Sequence, residues 1–168
     1  MRRLTWIAVS SALLAGCAEA PASDAEAQVQ IRRMYEDYRA DFPAVEGVSA
    51  AEALRLADED AAVFVDIRTP EEQAVSKIPG ALTAEQFESD RESYRGRLVV
   101  AYCTIGARSG KYAKQLQADG FDVRNLEGGV LSWTHAGGPL VDDHGPTPRV
   151  HVYGSRWNLA SSAYQAVW

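Results

Sequence analysis

The chain of 168 residues is long enough for one ordinary domain and too short for two. Its 46% hydrophobic and 24% charged residues are the composition of a soluble globular protein. The formal net charge of −6 at pH 7 excludes the electrostatic attraction on which nucleic-acid binding depends, so no nucleic acid is expected as a partner.

Residues 1–16 have the pattern of a targeting signal that is not part of the fold. Arg2 and Arg3 form a positive segment, and residues 4–14 are an apolar stretch too short to span a bilayer as a helix. Positions 14–17 read Leu-Ala-Gly-Cys, which resembles the bacterial lipoprotein signal, where cleavage before the cysteine frees it for lipid attachment. The alternative is an ordinary secretory signal with a chance cysteine.

A lipid on Cys17 would anchor the chain to a membrane without a spanning helix. By resemblance to lipoproteins, alanine at position 18 favours the outer membrane, so the expected location is the cell envelope, facing the periplasm. Cleavage leaves Cys103 as the only thiol without a lipid, and no intramolecular disulfide is then possible. A free thiol in an oxidising compartment is expected to have a chemical role.

Two segments separate the proposed lipid from the globular part of the chain. Residues 17–27 are rich in alanine, proline, serine and acidic residues and are predicted to form a flexible tether. Residues 28–44 begin with apolar side chains at roughly helical spacing, which predicts a helix that docks on the domain and ends before Pro43.

Strand and helix patterns alternate over residues 45–141. The apolar runs that predict buried strands are Ala62–Asp66 and Leu98–Tyr102. Val123–Leu126 is predicted as a third short strand, and another short strand follows a turn at 78–81. Capping patterns and periodicity predict helices over 49–57, from Pro70 onward, over 83–90, over 109–118, and after the glycines at 128 and 129. This order predicts an α/β domain, a central parallel sheet with helices on both faces.

Residues 142–168 form a C-terminal extension of different composition. A loop is predicted at 142–146, followed by a strand-like alternation over 149–153. Aromatic side chains are frequent after residue 156. Side chains of this kind are expected to pack on the domain.

The stretch after the strand at 98–102 carries the candidate chemistry. A strand that ends in Cys103 delivers its thiol to the carboxyl edge of the sheet, where ligands bind in open α/β folds. Gly106 permits a tight loop whose N–H groups converge, and the following helix adds partial positive charge at its N-terminus. Arg108 adds a cation suited to oxyanions. These groups all stabilise negative charge on sulfur and so favour a nucleophilic thiolate.

The segment from about residue 45 to residue 141 resembles a single-domain rhodanese. The matching motifs, in the family's order, are Val-Asp-Ile-Arg at 65–68 with Glu72, Ile-Pro-Gly-Ala at 78–81, the loop from Tyr102 to Ser109, and Leu-Glu-Gly-Gly at 126–129 with Trp133. The resemblance implies a rhodanese-like α/β fold and a sulfurtransferase. Cys103 would take sulfane sulfur from a small anion such as thiosulfate, form a persulfide and pass the sulfur to a thiol or protein acceptor.

The resemblance also implies roles for neighbouring residues. The backbone amides that would hold the persulfide and the donor's anionic end belong to Thr104, Ile105, Gly106, Ala107, Arg108 and Ser109. Asp66 and Arg68 would organise the loops through hydrogen bonds and ion pairing with neighbours such as Glu72, as structural residues near the site.

Two other functions remain open at this stage. Cysteine-dependent phosphatases and arsenate reductases use a similar cysteine and arginine, but the four residues between Cys103 and Arg108 are one fewer than the phosphatase pattern has. A non-catalytic rhodanese module for binding or regulation is the other alternative. His135, His144 and His151 have no metal-ligand spacing, so no metal or cofactor is expected.

Overall fold

The computed structural model describes residue 21 and residues 23–168. The proposed signal peptide, the lipidation site Cys17 and most of the predicted tether lie outside the described residues. No helix in the described part of the chain is both long enough and apolar enough to cross a membrane.

The described residues form six α-helices and nine short strands, with 3₁₀-helical turns at Arg91–Tyr94 and Ser155–Trp157. The helices are α1 (Asp24–Arg39), α2 (Ala50–Asp58), α3 (Pro70–Val75), α4 (Ala84–Ser89), α5 (Ala107–Ala118) and α6 (Gly129–His135). The strands are β1 (Glu46–Val48), β2 (Ala62–Asp66), β3 (Leu82–Thr83), β4 (Leu98–Tyr102), β5 (Val123–Leu126), β6 (Val141–Asp142), β7 (Gly145–Pro146), β8 (Arg149–His151) and β9 (Gln165–Val167).

Five of these strands form one parallel sheet in the order β1-β5-β4-β2-β3. In the register of the central strands, Val63 of β2 lies opposite Val99 of β4, which lies opposite Val123 of β5. Helices pack on both faces of this sheet, which confirms the predicted α/β architecture. Because all five strands are parallel, their carboxyl ends meet at one edge, and Cys103 directly follows β4 there.

The central strand β4 is buried on both sides of the sheet. Val100 and Tyr102 belong to the core that includes residues of α2 and α6, whereas Val99 and Ala101 belong to the core that includes residues of α5. This alternation follows the two-residue period of a strand. Since both faces are covered, all four side chains are apolar or aromatic, and the sequence shows a continuous run.

Hydroxyl side chains cap the helices α2, α3 and α4. Ser49 and Thr83 each accept a hydrogen bond from the backbone N–H three residues on, as the sequence predicts. Thr69 caps α3 in the same way, and the Glu72 carboxylate accepts a hydrogen bond from the Thr69 N–H at 2.9 Å. The capping box predicted at Ser49 is half formed, because the Glu52 carboxylate binds an arginine one turn along α2 instead.

The N-terminal helix α1 begins earlier than the sequence predicts. Ser23 accepts a hydrogen bond from the Glu26 N–H and caps the helix ahead of the apolar spacing on which the prediction relied. Residues 24–27 are therefore helical and are not part of a flexible tether. Ile31 and Tyr35 are buried, so α1 packs on the domain along this face.

The segment 142–146, predicted to be a loop, is instead a hairpin in which β6 pairs antiparallel with β7. The Asp142 side chain accepts a hydrogen bond from the His144 N–H at 2.8 Å. This side chain-to-backbone bond is the turn-stabilising role typical of aspartate, and it allows so short a hairpin.

The rest of the extension packs on the domain through aliphatic side chains more than through its aromatic ones. β8 pairs in parallel with β9, and Val150, Val152 and Leu159 are buried. By contrast, Trp168 is 66% exposed. The alternating residues Val150 and Val152 follow the strand period and point inward, and the aromatic residues Trp157 and Tyr164 also pack against the domain, as predicted.

Candidate active site

Cys103 lies at the carboxyl end of β4, in the turn that leads into α5. Its sulfur accepts a hydrogen bond from the Gly106 N–H, with 3.2 Å between nitrogen and Sγ. The helix α5 begins at Ala107, two residues before the predicted start, and presents its N-terminal backbone N–H groups at the end where the sulfur lies. The sulfur therefore meets both a direct donor and the positive end of a helix.

The start of α6 holds the backbone of the cysteine in place. The Cys103 carbonyl accepts from the Val130 N–H at 2.8 Å, and the Thr104 carbonyl accepts from the Leu131 N–H at 3.2 Å. A Cβ on Gly129 would lie 2.3 Å from the Cys103 carbonyl oxygen, so only glycine permits this approach. This contact explains the second glycine of the 126–129 motif.

Gly106 shapes the turn itself. Its φ of +96° is in the left-handed region, and its carbonyl accepts a hydrogen bond from the Asn125 side-chain amide at 2.9 Å. A Cβ at this position would lie 2.8 Å from the Tyr35 ring of α1. The turn is therefore supported from two sides, by the end of β5 and by the N-terminal helix.

Arg108 does not point freely at the sulfur. Its Nη1 and Nη2 donate to the two carboxylate oxygens of Glu72 at 2.8 Å each, and the Thr104 hydroxyl donates to the same carboxylate at 2.9 Å. Burial would raise the pKa of Glu72, but the hydrogen bonds from Arg108 and the Thr69 backbone, with the arginine charge, lower it to about 2. Burial alone would lower the pKa of Arg108. The hydrogen bonds to Glu72, together with the nearby Cys103 sulfur, hold that pKa above its ordinary value.

Asp66 and Arg68 form a second ion pair, which is wholly buried. Arg68 Nη2 lies 2.7 Å from Asp66 Oδ2, and neither side chain is exposed to solvent. Tyr102 donates its hydroxyl proton to the same Asp66 oxygen at 2.8 Å and accepts from the Ile78 N–H. The expectation that this pair would bind Glu72 is wrong, because Glu72 extends from the first turn of α3 toward Arg108 on α5.

The sequence-predicted site residues from Cys103 to Ser109 form one continuous turn and helix start. Ile105 is buried against α1, α6 and the extension rather than facing a ligand. Ser109 is also buried, and its hydroxyl donates to Asn125 Oδ1 at 2.7 Å. Asn125 thus connects the helix start to the Gly106 carbonyl, and it was not among the predicted site residues. A polar residue in the last positions of a buried strand was the available signal.

Tyr153 is a second site residue that the sequence did not identify. Its ring lies over the Arg108 guanidinium, with 5.1 Å from the guanidinium carbon to the ring centre. Burial raises the pKa of Tyr153; the charge of Arg108 opposes this, while those of Glu72 and Cys103 add to the increase. Nothing in the alternation at 149–153 indicated which ring would reach the site.

The arrangement suits nucleophilic chemistry at sulfur. The Gly106 N–H and the start of α5 are positioned to stabilise negative charge on the buried Cys103 sulfur, or on a second sulfur bound to it. Among residues 21 and 23–168, no group of three or more His, Cys, Asp or Glu side chains is arranged to hold a metal ion.

The chain matches known proteins over the same segment. The model of the Rhodanese-like domain family matches residues 49–136. A sulfurtransferase of Allochromatium vinosum is 40% identical over 95 residues, which cover 54% of this chain and 89% of that protein.

Two solved structures share the fold. A thiosulfate sulfurtransferase from Pseudomonas aeruginosa is 25% identical with a TM-score of 0.54; the match covers 68% of this chain and 23% of that chain. A protein of unknown function from Rhodopseudomonas palustris, described as a possible tyrosine phosphatase, is 30% identical with a TM-score of 0.51, over 66% of this chain and 92% of that one. With a family match over more than half of its length, the chain belongs to the rhodanese-like domain family.

Proposed function

We propose that the protein is a sulfurtransferase that carries sulfane sulfur as a persulfide on Cys103. The observation that supports this most directly is the Gly106 N–H, which donates to the Cys103 sulfur at 3.2 Å at the start of α5. A sulfurtransferase-type activity agrees with the rhodanese-like family and with the sulfurtransferase relative.

The transfer takes place in two displacements at sulfur. The Cys103 thiolate attacks the outer sulfur of the donor; a new S–S bond forms and the donor's own bond to that sulfur breaks. With thiosulfate the leaving group is sulfite, and the negative charge of the thiolate moves to the outer sulfur of Cys103–S–S⁻. An acceptor thiolate or other thiophile then attacks this outer sulfur and returns Cys103 to its thiolate.

The loop would stabilise the charge that the persulfide carries. The Gly106 N–H already points at sulfur, and the first turn of α5 supplies the positive end of a helix. Arg108, at the partly exposed edge of the site, contributes its positive charge while it remains bound to Glu72. A pre-arranged set of donors of this kind lowers the free energy of the charged intermediate without reorganisation at the moment of transfer.

A phosphatase activity is less consistent with the geometry. A phosphate ester requires an arginine whose two terminal nitrogens are available to its oxygens. In this chain both nitrogens of Arg108 bind Glu72, and the turn from Cys103 to Arg108 is one residue shorter than the phosphatase pattern. A non-catalytic module remains as an outcome of the test below.

The test is the mass of the purified full-length chain after incubation with a sulfane sulfur donor. A gain of one sulfur atom on the wild type, its absence in Cys103→Ser, and its removal by an added thiol are the expected results. If the wild type and Cys103→Ser behave identically, the proposed function is wrong and a binding module takes its place.

The location of this activity is a separate proposal. The signal at 14–17 favours a lipid on Cys17 and attachment in the cell envelope, facing the periplasm. Replacement of Cys17 by alanine is expected to release the protein from the membrane fraction and to abolish incorporation of a labelled fatty acid. Unchanged membrane attachment in Cys17→Ala would contradict the lipid anchor and leave the sulfur chemistry unaffected.

A further inference from the structure

We propose that Tyr153 of the C-terminal extension determines which donor the site accepts, and that it selects an organic persulfide, R–S–SH, over a small oxyanion such as thiosulfate. This inference rests on the proposed function, because it names the donor class of the same Cys103 site.

The first observation is the position of the Tyr153 ring. It lies over the Arg108 guanidinium at 5.1 Å, and the residue remains 51% exposed. The ring also contacts Trp157 in a tilted pair with centroids 5.8 Å apart. One aromatic residue of the extension therefore covers the arginine at the rim of the site, and a second one supports it.

The second observation is that the extension holds this ring by packing on the active-site turn itself. Val152, next to Tyr153, is fully buried in the same apolar cluster as Ile105 of the turn. The Val152 N–H, one residue past the end of β8, donates to the carbonyl of Val167, the last residue of β9, at 2.7 Å. The buried Val152 therefore fixes the position of Tyr153, which does not lie on a loose chain end.

The third observation concerns charge. The pair of Arg108 nitrogens that would bind an oxyanion is occupied by Glu72, and one face of the guanidinium is covered by Tyr153. The nearby Arg68 is likewise paired with Asp66 and wholly buried. Within the described residues, Glu72 and Asp66 neutralise Arg108 and Arg68, and the one Arg68 nitrogen without a partner, Nη1, is buried, so a dianion such as thiosulfate meets no exposed, unpaired fork of arginine donors.

These observations favour a donor whose carrier group is organic. The ring offers apolar surface to the R group, and the loop needs to stabilise only the charge on sulfur. In the transfer, the Cys103 thiolate attacks the outer sulfur of R–S–SH; a new S–S bond forms, the S–S bond of the donor breaks, R–S⁻ leaves, and the outer sulfur keeps its proton until the loop stabilises the deprotonated persulfide. No net oxidation or reduction occurs.

The test compares two probes, thiosulfate and benzyl persulfide, whose R group is apolar, on the purified full-length chain. The measured quantity is the second-order rate constant for sulfur loading of Cys103, followed by intact mass. The wild type is expected to load faster from the persulfide. In Tyr153→Ala the ratio of the thiosulfate constant to the persulfide constant is expected to rise about threefold to tenfold, because the R group loses the apolar surface of the ring, whereas thiosulfate has no R group to use it.

Two variants serve as controls. Tyr153→Phe keeps the ring and is expected to keep the wild-type ratio. Trp168→Ala removes another exposed aromatic residue of the same extension and is also expected to keep it. A merely structural loss would lower both rate constants together and leave the ratio unchanged.

Three outcomes would contradict the inference or its basis. A folded Tyr153→Ala chain with the wild-type ratio overturns the role of Tyr153, and a wild type that prefers thiosulfate overturns the donor class. Absence of loading from either probe, in every variant, contradicts the proposed function itself and is distinguished by the lack of any mass gain.

Discussion

Arg108 and Glu72 form a bidentate ion pair that joins α5 to α3 across the active-site edge. The two nitrogen–oxygen distances are 2.8 Å each, and the Glu72 side chain is 3% exposed whereas that of Arg108 is 31% exposed. Glu72 also accepts from the Thr69 N–H and from the Thr104 hydroxyl. One carboxylate therefore caps a helix and fixes the arginine and the turn that follow the nucleophile.

Replacement of Glu72 by glutamine is expected to lower the free energy of unfolding by about 2 to 3 kcal/mol. The cost of breaking a buried ion pair by removing one partner is about 3 to 5 kcal/mol, and the partial exposure of Arg108 reduces it. Glutamine keeps the size of the side chain and the capping bond to Thr69, so the loss reports the ion pair. Urea unfolding measures the difference.

Glu52→Gln is the matched control for this variant. Glu52 occupies the same third position of its helix and also binds an arginine, Arg55, but both side chains are at least 40% exposed. An exposed pair of this kind contributes little to stability, because solvent screens it. A loss in Glu72→Gln no larger than in Glu52→Gln would show that burial of the Glu72 pair does not stabilise the fold.

The Glu72 ion pair also predicts a pH dependence. The pKa of Glu72 is lowered from its ordinary value of 4.5 to about 2, because Arg108 and the Thr69 N–H outweigh the effect of burial. A carboxyl whose pKa is depressed by folding stabilises the native state above the unfolded pKa and loses that contribution as the pH falls. The stability difference between the wild type and Glu72→Gln is therefore expected to shrink between pH 4.5 and about pH 2.

The comparison of two variants removes the contribution of the other carboxylates, since the two chains differ only at residue 72. Denaturant unfolding at several pH values gives the difference directly. A difference that stays constant from about pH 5 down to about pH 3 would mean that Glu72 keeps an ordinary pKa in the folded chain.

Gly106→Ala is expected to destabilise the active-site turn by about 3 kcal/mol and to slow sulfur loading. A left-handed φ costs alanine about 1 to 2 kcal/mol, and overpacking adds a similar amount. The new Cβ would lie 2.8 Å from the Tyr35 ring and 3.2 Å from the Leu126 carbonyl oxygen, so the turn has to move. Loss of the Gly106 N–H from sulfur follows from that movement.

Gly96→Ala separates backbone strain from crowding. Gly96 has a φ of +80°, yet a Cβ there meets no atom within 4 Å. Its replacement is expected to cost only about 1 kcal/mol, with sulfur loading unchanged. Equal losses of stability and of loading in the two variants would show that the contact with Tyr35 has no influence on the turn.

The sequence predicts the elements that deliver Cys103 but not the groups that complete its site. The strands Ala62–Asp66, Leu98–Tyr102 and Val123–Leu126 agree with their predicted bounds. Ala62–Asp66 and Leu98–Tyr102 are buried on both faces and so produce unbroken apolar runs, and Asp66, which ends the first run, marks the edge of the sheet. This local signal is independent of how distant segments pack.

The partners of Arg108 depend on packing that the sequence does not encode locally. The expectation of a cation for oxyanions beside the sulfur follows from the loop alone, whereas Glu72 reaches Arg108 only because the fold brings the first turn of α3 near the first turn of α5. Tyr153 is even more distant from Arg108 in sequence than Glu72 is. Its ring covers the guanidinium only because the C-terminal extension packs back across the active-site turn. Contacts between elements far apart in sequence decide which charges remain available.

Asn125 provides the last prediction, because it connects two parts of the site through one side chain. Its amide donates to the Gly106 carbonyl at 2.9 Å and its oxygen accepts from the Ser109 hydroxyl at 2.7 Å. Asn125→Ala leaves the buried Ser109 hydroxyl and the Gly106 carbonyl without these partners. The expected cost is about 1 to 3 kcal/mol of stability, together with slower sulfur loading of Cys103.

Ser109→Ala distinguishes the two bonds of Asn125. This variant removes the hydroxyl but leaves the Asn125 amide on the Gly106 carbonyl, so the turn that directs the Gly106 N–H at sulfur is kept. Sulfur loading is therefore expected to fall about tenfold or more in Asn125→Ala and much less in Ser109→Ala, since small displacements of a reacting group have large effects on rate. Measured loading rates that fall equally in both variants would assign the effect to the helix start, and not to the bond that holds Gly106.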